Sequence, residues 1–228
     1  MQSISSWELI IINDASNDNS LEKIKKLKKN YKNIILINNK KNLGPGMSRT
    51  IGLRLSRGKY IAFIDSDDEW KKNKLRNQIS FMKNNQILFC HTKVLYKDKK
   101  KIKKRFFHLD KKIDFKGLLF NNQITTSSVC IKKSIIKKND LKFNNFGYDD
   151  YSFWLKLLRK VDYCYLFEDY VTIYNTTYNK LSRNKLRSLK WIWHIYFKQN
   201  KLGFYKSIFY CIVNIYFTLL KKSLYVKK

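Results

Sequence analysis

A chain of 228 residues that is 44% hydrophobic and 15% aromatic can fill one sizeable core and carry a helical appendage. Its 48 Lys plus Arg against 17 Asp plus Glu leave a formal net charge of +31, which draws a protein toward anionic lipid surfaces, polyphosphates or nucleic acid. The same chain is crowded with Lys, Asn and Ile around the single proline Pro45, a bias that AT-rich coding sequence produces with no partner involved. Cys90, Cys130, Cys164 and Cys211 are isolated and lack metal-ligand or paired spacing, which fits a reduced cytosolic compartment better than a disulfide scaffold.

Glu8-Leu9-Ile10-Ile11-Ile12 is a short apolar strand that stops at Asn13-Asp14, and Ala15 to Asn19 supply loop and cap chemistry for a helix with Leu21, Ile24 and Leu27 on its inner face. Ile34 to Ile37 form the next strand. The loop Asn42-Leu43-Gly44-Pro45-Gly46 then leads into a helix whose Met47, Ile51 and Leu55 recur at four-residue spacing, closed by Gly58. Tyr60 to Ile64 read as a buried strand, so strand, helix, strand, helix, strand follow one another as in a parallel α/β layer.

That third strand runs straight into Asp65-Ser66-Asp67-Asp68. Open α/β sheets bind ligands beyond the carboxyl ends of their strands, and three crowded carboxylates raise one another's pKa unless a cation intervenes. Hard oxygen ligands suit Mg²⁺ or Mn²⁺ carrying a diphosphate. The same residues also make a good solvated turn that caps the next helix, and both readings stand on the residues alone.

Leu75, Ile79 and Met82 mark an amphipathic helix, Ile87 to Cys90 a strand, and Lys97 to Arg105 a basic hairpin or loop. Thr125 to Ile131 read as a strand, with Thr125 to Ser128 as a polar wall of a second substrate's subsite. Asp149-Asp150 open a helix bearing Phe153, Trp154, Leu157 and Leu158, where acids in the first turn are also ordinary dipole chemistry. His91, His108 and His194 have no partner pattern and read as structural or surface residues. From Leu186 onward the chain is helical and aromatic, bracketed by Lys185, Arg187, Lys190, Lys198, Lys201, Lys206, Lys221 and Lys222, as in a helix that lies on an anionic membrane. Phe204 to Leu220 is interrupted by Lys206 and Asn214 and falls short of the roughly 18 apolar residues of a spanning helix.

The segments Glu8 to Ser20, Asn42-Leu43-Gly44 through Arg49 and Gly52, Gly58 through Asp68, and Asp149-Asp150-Tyr151-Ser152-Phe153-Trp154-Leu155, in this order, resemble the family 2 glycosyltransferases. The resemblance implies an α/β GT-A fold, a mixed and mostly parallel sheet flanked by helices, with residues 1–180 as the catalytic domain and 181–228 as a helical, basic, aromatic extension. It implies inverting, metal-dependent transfer of one sugar per encounter from a nucleotide-diphosphate sugar to a hydroxyl of a glycan or lipid-linked acceptor. Asp14, Asn42, Gly44, Arg49 and Asp65 would frame the nucleotide sugar, and Asp67 with Asp68 would hold Mg²⁺ or Mn²⁺. Asp150, beside Asp149, would be the catalytic base. The expected setting is the cytoplasmic, anionic face of the cell membrane, with no nucleic-acid partner.

The resemblance also carries departures. Ala15 stands where the family usually has Gly, and Thr50 where it often has Asn. The family's first strand and helix, about thirty residues, have no counterpart before Met1, which predicts open backbone edges and a weakly stable, weakly active chain. A basic binding module without chemistry and a nucleotidyltransferase are the competing readings.

Overall fold

The computed structural model describes residues 2–99, 101–104, 109–137, 142–176 and 184–226, with side chains as far as Thr218; His108 lies outside them. The β-branched run at β1 (Leu9–Asn13) pairs in parallel with β2 (Ile34–Asn38), Leu9 opposite Ile34, through the crossover helix α1 (Ser20–Asn30). After α2 (Pro45–Leu55) the chain enters a separate seven-stranded mixed sheet. There β3 (Tyr60–Ile61) lies beside β8 (Cys130–Lys132), which borders β5 (Phe89–Asp98), β9 (Cys164–Asn175) and β4 (Glu69–Trp70) in turn. The strands β5 and β9 run parallel, while β3/β8, β5/β8 and β4/β9 are antiparallel. Two short strands, β6 (Lys101–Lys104) and β7 (Lys112–Ile113), add to β5 and β9, so Lys101 to Lys104 of the basic run form the outer arm of a hairpin on β5.

Several local expectations are corrected. The third strand is two residues long rather than five, and it pairs antiparallel with β8, not in parallel with β1. The chain leaves the ladder after Ile61 because Phe63 turns into the aromatic core against Phe143 and Trp154, and the Asp65 N–H goes to Ser127 Oγ instead of a neighbouring strand. Among the described residues β1 pairs only with β2 and β3 only with β8. Covering just that two-stranded sheet, α1 has no buried residue and leaves Leu27 exposed. The inner face of α2 is Gly46, Thr50 and Leu53, one or two positions before Met47, Ile51 and Leu55 of the expected face. A Cβ on Gly46 would stand 2.0 Å from the Asn144 carbonyl oxygen, so a glycine is what lets this helix approach so closely.

Helix α3 (Lys74–Asn84) buries Lys74 and Gln78 beside the expected Met82. Residues 125–131 are not a continuous strand: a buried 3-10 turn, Thr126–Ser128, precedes β8. Behind the sheet sit α4 (Phe115–Phe120) and α5 (Asp149–Leu157). Phe153, Trp154, Leu157 and Leu158 are all buried, with Phe153 stacked on Phe143 at 4.1 Å. The helix α6 (Lys185–Trp193) runs into a π-helical turn, His194–Gln199, and then α7 (Phe204–Val226). Ile192, Ile195, Tyr196 and Cys211 of these helices join the main core. All four cysteines are free and buried. His91 is buried, and the exposed His194 packs on the Phe146 ring, so both are structural residues.

Candidate active site

Three loops carry the acids. Asp14 follows β1 and folds the 39–44 loop around itself: its Oδ1 accepts from Asn39 Nδ2 (2.8 Å) and the Leu43 N–H (2.9 Å), and its Oδ2 from the Gly44 N–H (2.8 Å). Burial pushes its carboxyl up, but these hydrogen bonds to the ionised form win and hold it below the usual range. Asn42 Oδ1 accepts from the same Gly44 N–H at 3.1 Å, and Gly44 sits at φ +82°, a left-handed conformation that glycine adopts without strain. Ala15 adopts φ +56°, where a Cβ costs roughly 1 kcal/mol.

The second loop is the turn after β3, closed by the Asp68 N–H donating to the Asp65 carbonyl at 3.0 Å. Asp67 is half-buried and makes no hydrogen bond or ion pair among the described residues. Asp68 is buried; its Oδ1 accepts from the Asn175 N–H at the end of β9, while Oδ2 has no partner among the described residues. Burial pushes its pKa up to about 6.

The third loop opens α5. Arg49, from the middle of α2, reaches both remaining acids: Nη2 donates to Asp65 Oδ1 at 2.5 Å and Nη1 to Asp149 Oδ2 at 2.6 Å. Its side chain is 16% exposed. Burial alone would favour loss of its proton, but the charges of Asp65, Asp149 and Asp150 outweigh that and keep it a cation. Burial raises the Asp149 carboxyl, and Arg49 opposes the rise. Asp150 next to it turns the other way, its Oδ2 accepting from Thr126 Oγ1 at 2.6 Å and its Oδ1 from the Tyr151 N–H at 2.7 Å.

A planar guanidinium that forks between two carboxylates thus binds the acidic turn to a helix 100 residues beyond the arginine. The model of the family described as Glycosyl transferase family 2 matches residues 1–142. The chain belongs to that family.

Relatives and structures agree with this membership. An uncharacterized glycosyltransferase of Haemophilus influenzae is 36% identical over 94% of this chain and 86% of its own length. The UDP-Glc:alpha-D-GlcNAc-diphosphoundecaprenol beta-1,3-glucosyltransferase WfgD of Escherichia coli is 29% identical over 94% and 84%. Staphylococcus aureus TarS in complex with UDP-GlcNAc superposes with a TM-score of 0.70 at 16% identity, covering 86% of this chain. The match spans 60% of that TarS chain. The likeness fixes the fold as GT-A, and the family makes the chain a glycosyltransferase.

Within this family 2 chain, Arg49, Asp65, Asp149 and Asp150 are drawn together around one cation, while Asp14, Asn42 and Gly44 form a loop at the entrance to the same helix α2. The residues present fit a divalent cation held jointly with a substrate. Among the described residues no three His, Cys, Asp or Glu side chains already converge on a metal position, yet Mg²⁺ and its kin need only one or two carboxylates when phosphates complete the shell. Asp67 and the unpartnered Oδ2 of Asp68 are the oxygens of this turn that would be left to hold such an ion.

The sequence reading missed the turn that joins these loops. Thr126, Ser127 and Ser128 are buried, so they do not form an open polar wall. Ser127 Oγ takes the Asp65 N–H, its carbonyl takes Trp70 Nε1 at 2.7 Å, and Thr126 holds Asp150. Behind them Gln78 Nε2 donates to the Ser128 carbonyl, and Lys74 Nζ donates to Gln78 Oε1 while lying over the Trp70 ring. Burial lowers the Lys74 pKa to about 8. Thr50, the second departure, accepts the Phe143 N–H and donates to the Gly46 carbonyl, tying α2 to the chain before α5. Polar residues with no motif gave the sequence no signal for these contacts.

Proposed function

We propose that this chain transfers a sugar, with inversion, from a nucleotide-diphosphate sugar to a hydroxyl of a lipid-linked or cell-surface glycan acceptor. The observation that carries the reading is the Arg49 fork, which sets the acidic turn and the α5 acids on one cation. Asp14, Asn42 and Gly44 frame the nucleotide, and the Asp65 oxygen left free by Arg49 takes a ribose hydroxyl. Asp67, seconded by Asp68, holds Mg²⁺ or Mn²⁺, which when bound offsets the charge gathering on the departing diphosphate. Asp150 accepts the proton of the attacking hydroxyl as the new bond forms. Thr126 and the Tyr151 N–H hold its carboxylate in place, and Asp149, clamped by Arg49, holds the helix start.

UDP-Glc and a diphosphoundecaprenol-linked acceptor in the name of WfgD, and UDP-GlcNAc bound to TarS, support the donor and acceptor classes. Among the described residues no helix is long and apolar enough to cross a membrane, and the reading places residues 1–180 as the catalytic unit at the cytoplasmic membrane face, with 181–228 as its basic extension. The test is transfer from a panel of UDP-, GDP- and dTDP-sugars with Asp150→Asn. The expected result is a fall in kcat of roughly 10²–10⁴-fold with donor binding retained; undiminished turnover in the variant would refute Asp150 as the base.

A further inference from the structure

A surface helix of a water-soluble protein turns its apolar stripe inward and its polar face out. The helix α7 does the reverse. Its body-facing positions are Ser207, fully buried with Oγ donating to the Gly203 carbonyl, Cys211, and Asn214, whose Nδ2 donates to Tyr196 OH at 3.5 Å. Tyr210 completes that face against Phe120 and Tyr196. The outward stripe is Tyr205, Ile208, Phe209, Ile212, Ile215 and Tyr216, all exposed, with Tyr205 at 85%, Ile212 at 62% and Tyr216 at 58%. Spacing of three and four puts these six on a single face over three turns.

The charge around the stripe has one sign. No Asp or Glu follows Asp169 in the sequence, and Lys185, Arg187, Lys190, Lys198, Lys201 and Lys206 are all exposed. A second copy of this chain would bring the same cations against them, with no acid of this region to offset the repulsion. An anionic lipid surface answers both features, apolar depth for the stripe and phosphate charge for the lysines.

We propose that α7 lies in the plane of an anionic bilayer with Tyr205, Ile212 and Tyr216 inserted below the headgroups, and that this is how the chain docks where its acceptor is anchored. The proposal rests on the lipid-linked acceptor reading for its purpose, while the docking is measured with neither donor nor acceptor present. In co-sedimentation with phosphatidylcholine vesicles containing about a third phosphatidylglycerol, the full chain pellets with the anionic vesicles and remains largely soluble with phosphatidylcholine alone. The variant Tyr205→Ser/Ile212→Ser/Tyr216→Ser keeps the wild-type circular dichroism and melting curve, because all three side chains project outward, but loses roughly tenfold or more in vesicle affinity. Its transfer to a water-soluble acceptor analogue stays at the wild-type rate, whereas transfer to a vesicle-borne acceptor falls.

Wild-type protein left in the supernatant with anionic vesicles would overturn the proposal. So would a triple variant that binds them as well as wild type, or a wild-type dimer in sedimentation that the triple variant dissolves and vesicles do not compete with. Vesicle binding without any sugar transfer would leave docking supported and remove the catalytic reading instead.

Discussion

Replacing Arg49 with Met removes a cation that is 16% exposed and leaves Asp65 and Asp149 facing each other across its place. Each lost charge-assisted hydrogen bond is worth about 1.5–3 kcal/mol, and Asp65, one-third exposed, recovers part of its share from water. The expected cost is therefore about 3 kcal/mol at pH 7, at the lower end of what breaking a buried pair costs. For a chain of 228 residues that corresponds to a melting point lower by roughly 6–12 °C.

The pH dependence gives a second handle. Burial already raises the Asp149 carboxyl, and Arg49 restrains the rise; without Arg49 it climbs further above its unfolded value. A folded pKa raised above the unfolded one adds stability at pH below the unfolded value and loses it as pH rises through the folded one. The deficit of Arg49→Met should thus shrink as pH falls from 7 toward about 4. Urea unfolding followed by far-ultraviolet circular dichroism at pH 7 and 5 measures it, and Arg49→Met/Asp149→Asn should recover about half of the loss. A deficit under about 1 kcal/mol, or one that does not change with pH, would refute the buried fork as a structural clamp.

Thr126→Val removes the hydroxyl that holds Asp150 and should lower kcat roughly tenfold with KM little changed, while Thr126→Ser restores the rate; an equal loss in both variants would point to packing instead. His91 is fully buried with both ring nitrogens unpartnered among the described residues, and burial lowers its pKa to about 4. Its folded pKa lies below the unfolded value near 6.5, so its titration costs little at pH 7 and up to about 3 kcal/mol as pH falls through 6.5 toward 4. The stability of wild type minus His91→Leu, from urea melts, should decline over that window; a constant difference would show that His91 does not titrate in the unfolded state alone.

The carboxylates were legible because they border apolar runs in a fixed order: Asp14 after Ile10-Ile11-Ile12, Asp65 to Asp68 after Tyr60 to Ile64, and Asp149-Asp150 ahead of Phe153 and Trp154. A five-residue apolar stretch marks burial, but it does not say how burial is achieved. Ile61 is buried as a strand residue, whereas Phe63 is partly buried by leaving the strand for an aromatic cluster, so apolar character marked burial ahead of the acidic turn while misjudging the ladder. Helix faces failed for a related reason. Periodicity ranks positions by hydrophobicity, and in α2 and α3 the inward positions include, beside Leu53 and Met82, Gly46, Thr50, Lys74 and Gln78, which serve close approach or hydrogen bonding.

By itself the sequence determined which acids exist, that they follow apolar runs or open a run of buried aromatics, and that the tail is aromatic and cationic. Only the tertiary structure decided that Arg49 joins Asp65 to Asp149, that Thr126 and Ser127 steady Asp150 and Asp65, and that α7 turns its apolar side outward. Apolar runs and charge are local properties written in adjacent residues. Hydrogen bonds across 100 positions, and the choice of which helix face meets the core, depend on partners brought close only by packing, and no local pattern encodes them.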